Sequence, residues 1–158
     1  MSGFKDHFSA NSAGYADYRP RYPEALFDWL AGQCATPDTA WDCATGSGQA
    51  AVALARRFQR VMATDASAAQ IEHAQAHAGV EYRVASAEAS GLPDAGVDIV
   101  TVAQAAHWFD LDAFHAEVRR VLKPGGLVAL WGYEKLRLAP DLARVVGHFY
   151  HGVLDGFW

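Results

Sequence analysis

The stretch 41–51 constrains the fold of this chain more than any other part of the sequence. A short apolar run ends at Asp42, turns through Gly46 and Gly48, and continues into the alanine-rich segment 50–57. This order predicts a strand, a tight loop and a helix. Glycines suit such a loop because they adopt positive φ and let a ligand approach the main chain closely. The stretch therefore predicts a ligand site at the carboxyl end of a parallel strand.

Strand and helix signals alternate along the rest of the chain. Strands are predicted at Thr39–Cys43, 60–64, Val80–Val84, 97–102 and 127–131. Helices are predicted after Pro23, over 50–57, from Ser67 to about His77, from the cap Asp110 to the stop at 123–126, and over 140–151. The alternation predicts an α/β fold with a Rossmann-like, doubly wound, mostly parallel sheet and helices on both faces.

The composition narrows the classes of protein and partner. A chain of 158 residues that is 51% hydrophobic suits one folded domain. A net charge of −5 argues against nucleic acid as a partner, and no apolar run approaches the ~18 residues of a membrane span. Cys34 and Cys43 lack metal-ligand spacing, so we expect no metal, and free thiols predict a cytoplasmic location.

Two classes of cofactor fit a glycine loop of this kind. Gly46, Gly48 and Ala51 match a relaxed dinucleotide fingerprint, and Asp65 lies seventeen residues after Gly48, where a ribose partner is expected. Asp42 opposes that interpretation, because a carboxylate at this position repels a pyrophosphate and attracts a cation. A nicotinamide-dependent oxidoreductase therefore remains the less favoured alternative, and the sequence has no Tyr-x-x-x-Lys pair to support it.

The loop Asp42-Cys43-Ala44-Thr45-Gly46-Ser47-Gly48 resembles the first motif of class I S-adenosylmethionine-dependent methyltransferases. Other segments are similar to the type-11 group, and in particular to its trans-aconitate methyltransferase-like branch. They are Tyr18-Arg19-Pro20-Arg21-Tyr22-Pro23, Thr64-Asp65, Ala87-Glu88 with Leu92-Pro93, Gln104-Ala105-Ala106-His107-Trp108-Phe109 and Leu122-Lys123-Pro124-Gly125-Gly126. The resemblance covers residues 15–133 and departs from the family at Ala44, where glycine is commoner.

The resemblance implies S-adenosyl-L-methionine as the cofactor and a set of residues that bind it. Asp65 is expected to accept the ribose hydroxyls, Asp42 to meet the methionine ammonium directly or through water, and Ala87 and Glu88 to face the adenine. The full cofactor-binding set is Asp42, Ala44, Gly46, Gly48, Asp65, Ala66, Ala87, Glu88 and Gln104.

The segment after the fourth strand is expected to border the methyl acceptor. His107 is the candidate catalytic base, with a cofactor contact or a structural role as alternatives. Tyr18, Arg19 and Trp108 are the candidate substrate-binding residues, and Arg19 with Arg21 favours an acidic acceptor. We therefore expect O-methylation of a small acidic metabolite. A cofactor-binding module without catalysis is the alternative.

The resemblance also predicts how the chain is divided. Residues 1–36 are expected to form an N-terminal arm and lid helix, and residues 37–158 the S-adenosylmethionine-binding methyltransferase domain. Five strands are predicted where the family has seven, so the C-terminal strands are expected to be missing and the domain incomplete at its C-terminus. The fifth strand would then be an apolar edge, which predicts a longer chain or self-association through that strand.

Overall fold

The computed structural model describes residues 22–133 and 138–153, so Tyr18, Arg19 and Arg21 lie outside the described residues. The helices are α1 (Glu24–Gln33), α2 (Gln49–Leu54), α3 (Ala68–Glu72), α4 (Leu111–Val121) and α5 (Pro140–His148). A 3-10 helix spans Ala106–Trp108, and a π-helical turn spans Phe149–Val153. The strands are β1 (Thr39–Cys43), β2 (Arg60–Asp65), β3 (Val80–Val84), β4 (Val97–Ala103) and β5 (Leu122–Trp131).

The five strands form one sheet in the order β3-β2-β1-β4-β5, and every neighbouring pair is parallel. Chain connections run outward in both directions from β1, so the order reverses between β1 and β4. The predicted Rossmann-like, doubly wound α/β fold is confirmed. Open sheets of this type bind ligands where the order reverses, at the carboxyl ends of the strands.

Two apolar layers hold the helices to the sheet. On one face, α1 and α2 bury Phe27, Leu30 and Leu54 against the strands. On the other face, α4 buries Phe114 and Val118 against side chains of β1 and β4. The central strands are covered on both sides, and this explains why residues 97–102 are mostly apolar and all buried.

Helix α1 is anchored to the domain by charge as well as by apolar contact. The Arg57 guanidinium lies 2.7 Å from Glu24 and 2.8 Å from Asp28 on α1. Phe27 and Leu30 of α1 are each only 1% exposed. The role of this helix as a lid stays a prediction. None of the helices in the described ranges is long and apolar enough to cross a membrane.

Helix α3 is shorter than predicted. Its cap at Ser67 is confirmed, since the Ser67 hydroxyl accepts the Gln70 N–H, but the helix ends at Glu72 rather than near His77. The Gln75 N–H donates to the Ser47 carbonyl, and the Gln75 carbonyl accepts the Tyr82 hydroxyl. These two tertiary bonds hold the chain in a non-helical path, which the local sequence did not reveal.

Strand β5 begins five residues earlier than predicted. The segment Lys123-Pro124-Gly125-Gly126 was expected to end the preceding helix ahead of the strand, yet Leu122 already pairs with Val97 of β4. The register between β4 and β5 shifts just beyond this pair, and Gly125 adopts φ +79°. The Lys123 ammonium lies 2.9 Å from the Asp98 carboxylate and holds this irregular segment beside β4.

Candidate active site

The loop after β1 adopts a left-handed backbone at three positions: φ is +54° at Ala44, +55° at Gly46 and +81° at Gly48. Any residue other than glycine is strained by about 1–2 kcal/mol in this conformation. The preference for glycine at the position of Ala44 therefore has a local backbone cause. At Gly48, an added Cβ would collide with the hydroxyl of Tyr82, so this glycine lets the loop pack against β3.

Asp42 lies beneath this loop and is 1% exposed. Its carboxylate accepts the Thr45 hydroxyl at 2.6 Å and the Thr101 hydroxyl at 2.8 Å. Burial raises the pKa of Asp42 to about 6, although hydrogen bonds from Thr45, Thr101 and the Ala51 backbone oppose the rise. Among the described residues, no lysine or arginine forms an ion pair with it. Within residues 22–133 and 138–153, a carboxylate is thus buried at the loop without a cation beside it.

Asp65 ends β2 beside the same loop. Its Oδ2 accepts the Gly46 N–H and its Oδ1 accepts the Ser67 N–H, both at 2.9 Å. Backbone donors on both oxygens fix the direction of this carboxylate. Ala66 follows and is exposed.

Ala87 and Glu88 lie in the connection between β3 and β4. Ala87 is buried, and the Glu88 carboxylate accepts the Asp110 N–H at 3.2 Å, just before α4. Two residues further along the same connection, the Ser90 N–H donates to Glu117 of α4 at 2.8 Å, and the Glu117 carboxylate also accepts the Arg120 guanidinium at 2.6–2.8 Å. Helix α4 and its N-cap residue thus hold this segment at two points.

The Arg120 guanidinium and the Ser90 donors lower the pKa of Glu117 to about 2. The same guanidinium also donates to the Leu92 carbonyl at 2.7 Å and to Asp94 at 2.6 Å. Glu117 therefore stays ionised at all pH values near neutrality.

Gln104, His107 and Trp108 follow β4. Gln104 has φ +63°, and its N–H donates to the Trp131 carbonyl at 2.9 Å. His107 is exposed, and its ring centroid lies 4.7 Å from that of Trp108, which is 54% exposed. Both rings belong to the 3-10 helix Ala106–Trp108. A histidine at this place is accessible to a molecule bound at the carboxyl ends of the strands.

The predicted cofactor-binding residues all lie at or just after the carboxyl ends of β1 to β4, at one edge of the sheet. Direct bonds connect the loop to Asp65 and Asp42 to Thr101 of β4. Sequence reasoning missed Thr101, Tyr82 and Trp131, and it quoted Thr45 only as a letter of the motif. For Trp131, the only sequence signal of a place in the site was its position at the end of the fifth predicted strand. For Thr101 and Tyr82, which lie within strands, the sequence carries no signal.

A parallel sheet of this order, with a glycine loop after β1 and an acid at the end of β2, is common to class I methyltransferases and to dinucleotide-binding proteins, so the family has to be decided by comparison. A family model described as a methyltransferase domain, Methyltransf_11, matches residues 41–130. The chain belongs to this family of S-adenosylmethionine-dependent methyltransferases. The type-11 resemblance is thereby confirmed, and the trans-aconitate methyltransferase-like branch is not tested by it.

Relatives and solved structures agree with this family. A provisionally assigned methyltransferase of Dictyostelium discoideum is 39% identical over 98% of this chain and 60% of its own length. An uncharacterised methyltransferase of Mycobacterium tuberculosis is 34% identical over 89% of this chain and 58% of its own. The structure of a provisionally assigned type II methyltransferase from Anaeromyxobacter dehalogenans is 50% identical, with a TM-score of 0.78, over 89% of this chain and 60% of its own. The chain thus spans about 60% of the length of these proteins.

Proposed function

We propose that this protein transfers the methyl group of S-adenosylmethionine to an oxygen atom of a small acidic molecule. The observation that carries the proposal is the buried Asp42 carboxylate, which lacks a cation among the described residues and accepts the hydroxyl of Thr45 in the loop after β1. S-adenosylmethionine brings two positive charges, an ammonium and a sulfonium. Burying an uncompensated charge is costly, so a cationic ligand suits this site and a pyrophosphate does not.

The other cofactor contacts follow from the positions of the side chains. Asp65, whose direction is fixed by backbone donors at the end of β2, would accept the two ribose hydroxyls. Glu88 and the backbone of Ala87 belong to the segment that would border the adenine. The Asp42 carboxylate is hydrogen-bonded to Thr45 and Thr101, so it would attract the ammonium of the cofactor through its charge. A hydrogen bond between the two groups would need a bridging water or a shift of the Thr45 hydroxyl.

The chemistry leaves the protein the tasks of orientation and of excluding water. The acceptor oxygen bonds to the methyl carbon while the carbon–sulfur bond breaks and its electron pair stays on sulfur. A carboxylate acceptor needs no base. A hydroxyl acceptor would lose its proton to the imidazole of His107, and the Trp108 ring beside it would cover the acceptor.

Substrate class and cell location are further parts of the proposal. The resemblance of the sequence to the trans-aconitate methyltransferase-like branch, together with Arg19 and Tyr18, supports an acidic acceptor. The two thiols, Cys34 and Cys43, are free, and this supports the cytoplasm as the location.

Self-association through β5 is the proposed mode of assembly. Among the described strands, β5 lies at the edge of the sheet, and it exposes Val128 and Leu130. Exposed apolar edge strands pair readily with other strands. Sedimentation should show a dimer, and Leu130→Lys should shift it to monomer. A wild-type monomer at high protein concentration would contradict this assembly.

Transfer of a labelled methyl group tests the proposed reaction. The protein is incubated with S-adenosylmethionine labelled in the methyl group and with a panel of carboxylic acids, phenols and amines. We expect label in a carboxylic acid, as an ester that mild alkali releases. Cofactor binding without transfer to any acceptor would favour a non-catalytic module, and label in an amine would contradict the oxygen acceptor.

A further inference from the structure

Two buried side-chain donors at the carboxyl ends of β4 and β5 lack hydrogen-bond acceptors. They are Nε2 of Gln104 and Nε1 of Trp131, and neither has a partner in the described part of the chain. Folded proteins pair nearly all of their buried polar groups, so two unpaired donors at one edge of a sheet require an explanation. A bound ligand that supplies the missing acceptors is one.

The two donors belong to adjacent stretches of backbone. The Gln104 N–H donates to the Trp131 carbonyl at 2.9 Å, which joins the ends of β4 and β5. The Gln104 carboxamide lies over the residue after Trp131, because a Cβ built on Gly132 would be 3.4 Å from its Oε1 and 3.9 Å from its Nε2. The Gln104 carboxamide therefore lies beside the end of β5, next to the residue that carries the indole.

Aromatic contacts surround the Trp131 side chain. Its ring meets Tyr22 edge-on at 5.6 Å and Phe27 at 6.2 Å between ring centroids. Gln104 keeps a left-handed backbone at φ +63°, an uncommon conformation for a residue other than glycine and one that clusters at functional sites. Both residues are half-buried overall, but the two donor atoms themselves are buried, so a ligand at the edge of the cleft contacts them only after a shift of the side chains.

We propose that Trp131 and Gln104 together bind a carboxylate, an inference that rests on the proposed function. The indole N–H can only donate, so its partner must be an acceptor atom. A carboxylate offers two oxygens to the two donors, and hydrogen bonds to a charged acceptor are the stronger kind. Two bound molecules can supply that carboxylate: the amino-acid part of S-adenosylmethionine, and an acidic methyl acceptor.

Calorimetry with three probes tests the proposal and separates the two sources. S-adenosylhomocysteine has the amino-acid carboxylate, and 5′-methylthioadenosine has the same adenosine and thioether without it. Trans-aconitate, added to protein saturated with S-adenosylhomocysteine, serves as the acidic acceptor. The variants are Trp131→Phe, which keeps the ring and removes the donor, and Gln104→Met, which keeps the length and removes the carboxamide. Trp29→Phe is the matched control, because Trp29 is 60% exposed on α1.

We expect each of the two variants to weaken one carboxylate probe about tenfold, the loss of one hydrogen bond to a charged group. Weaker binding of S-adenosylhomocysteine with unchanged 5′-methylthioadenosine assigns the carboxylate to the cofactor. Unchanged binding of both adenosyl compounds with weaker trans-aconitate assigns it to the acceptor. Circular dichroism confirms the fold of each variant, and if Trp131→Phe does not fold, Gln104→Met decides.

Two results would overturn the carboxylate site. One is unchanged affinity of both folded variants for every probe, and the other is equal loss for S-adenosylhomocysteine and 5′-methylthioadenosine. Failure of the wild type to bind any adenosyl compound is a different outcome, since it removes the proposed function and the carboxylate assignment with it.

Discussion

Replacing Asp42 with asparagine should change how the stability of the unliganded protein depends on pH. The carboxylate is 1% exposed, and burial raises its pKa from 3.8 to about 6. Its folded state therefore binds a proton more tightly than its unfolded state does. The stability contributed by Asp42 is complete below about pH 4 and is lost as pH rises through 6.

The size of the loss follows from the two pKa values. A rise from 3.8 to about 6 corresponds to about 3 kcal/mol of stability, at 1.36 kcal/mol for each pKa unit. The carboxamide of an asparagine does not ionise, so Asp42→Asn should lack this pH-dependent loss. Changed hydrogen bonds with Thr45 and Thr101 shift the free energy of unfolding of the variant by an amount that does not depend on pH.

Urea unfolding of the wild type and of Asp42→Asn between pH 3.5 and 8 measures the effect. As pH rises across this range, the free energy of unfolding of the variant should increase by about 3 kcal/mol relative to that of the wild type. Other carboxyl groups titrate in both proteins and cancel in the difference. A flat difference curve would show that the Asp42 carboxylate is not buried without a cation, and it would remove the argument for a cationic ligand.

Three further changes test separate parts of the site. His107→Ala should lower turnover about a hundredfold with unchanged binding of S-adenosylhomocysteine if the acceptor is a hydroxyl; a pH–rate profile without a histidine-like pKa indicates a carboxylate acceptor instead. Glu117→Gln should lower the free energy of unfolding by about 2–3 kcal/mol at pH 7, as measured with urea. Its difference from the wild type should shrink as pH falls from 4.5 toward the lowered pKa of about 2. A decrease below about 0.5 kcal/mol at pH 7 would contradict the hydrogen bonds described for Glu117. Ala44→Gly should raise the unfolding free energy by about 1 kcal/mol because it relieves the left-handed φ, and a destabilised variant would contradict that backbone.

The sequence predicted the fold because its signals are local and repeated. The bounds of β1 and β3 are those expected, and the caps at Ser67 and Asp110 are confirmed by bonds from the Gln70 and Ala113 N–H groups. Alternation of apolar strands with short helices leaves little choice of architecture for a chain of this length. The errors occur where tertiary bonds override local preference, at the end of α3 and at the start of β5.

The candidate site was predictable to the extent that it follows the motif. Asp42, Asp65 and the glycines stand at strand ends, which the pattern of strands locates directly. The burial of Asp42 and its two hydroxyl partners could not be read from the sequence, because Thr101 lies on a strand fifty-nine residues away. The positive φ at Ala44 was equally hidden, since alanine carries no signal for it.

Calorimetric titration with S-adenosylhomocysteine and with NAD tests the central claim most directly. We expect one S-adenosylhomocysteine to bind per chain and NAD to give no heat. In Asp65→Ala the ribose hydroxyls lose a charged acceptor worth about 1.5–3 kcal/mol, so affinity should fall roughly ten- to a hundredfold. Asp112→Ala, which removes an exposed carboxylate from α4, should bind as the wild type does. Binding of NAD without S-adenosylhomocysteine, or equal affinity in Asp65→Ala and the wild type, would contradict the cofactor site proposed for this loop.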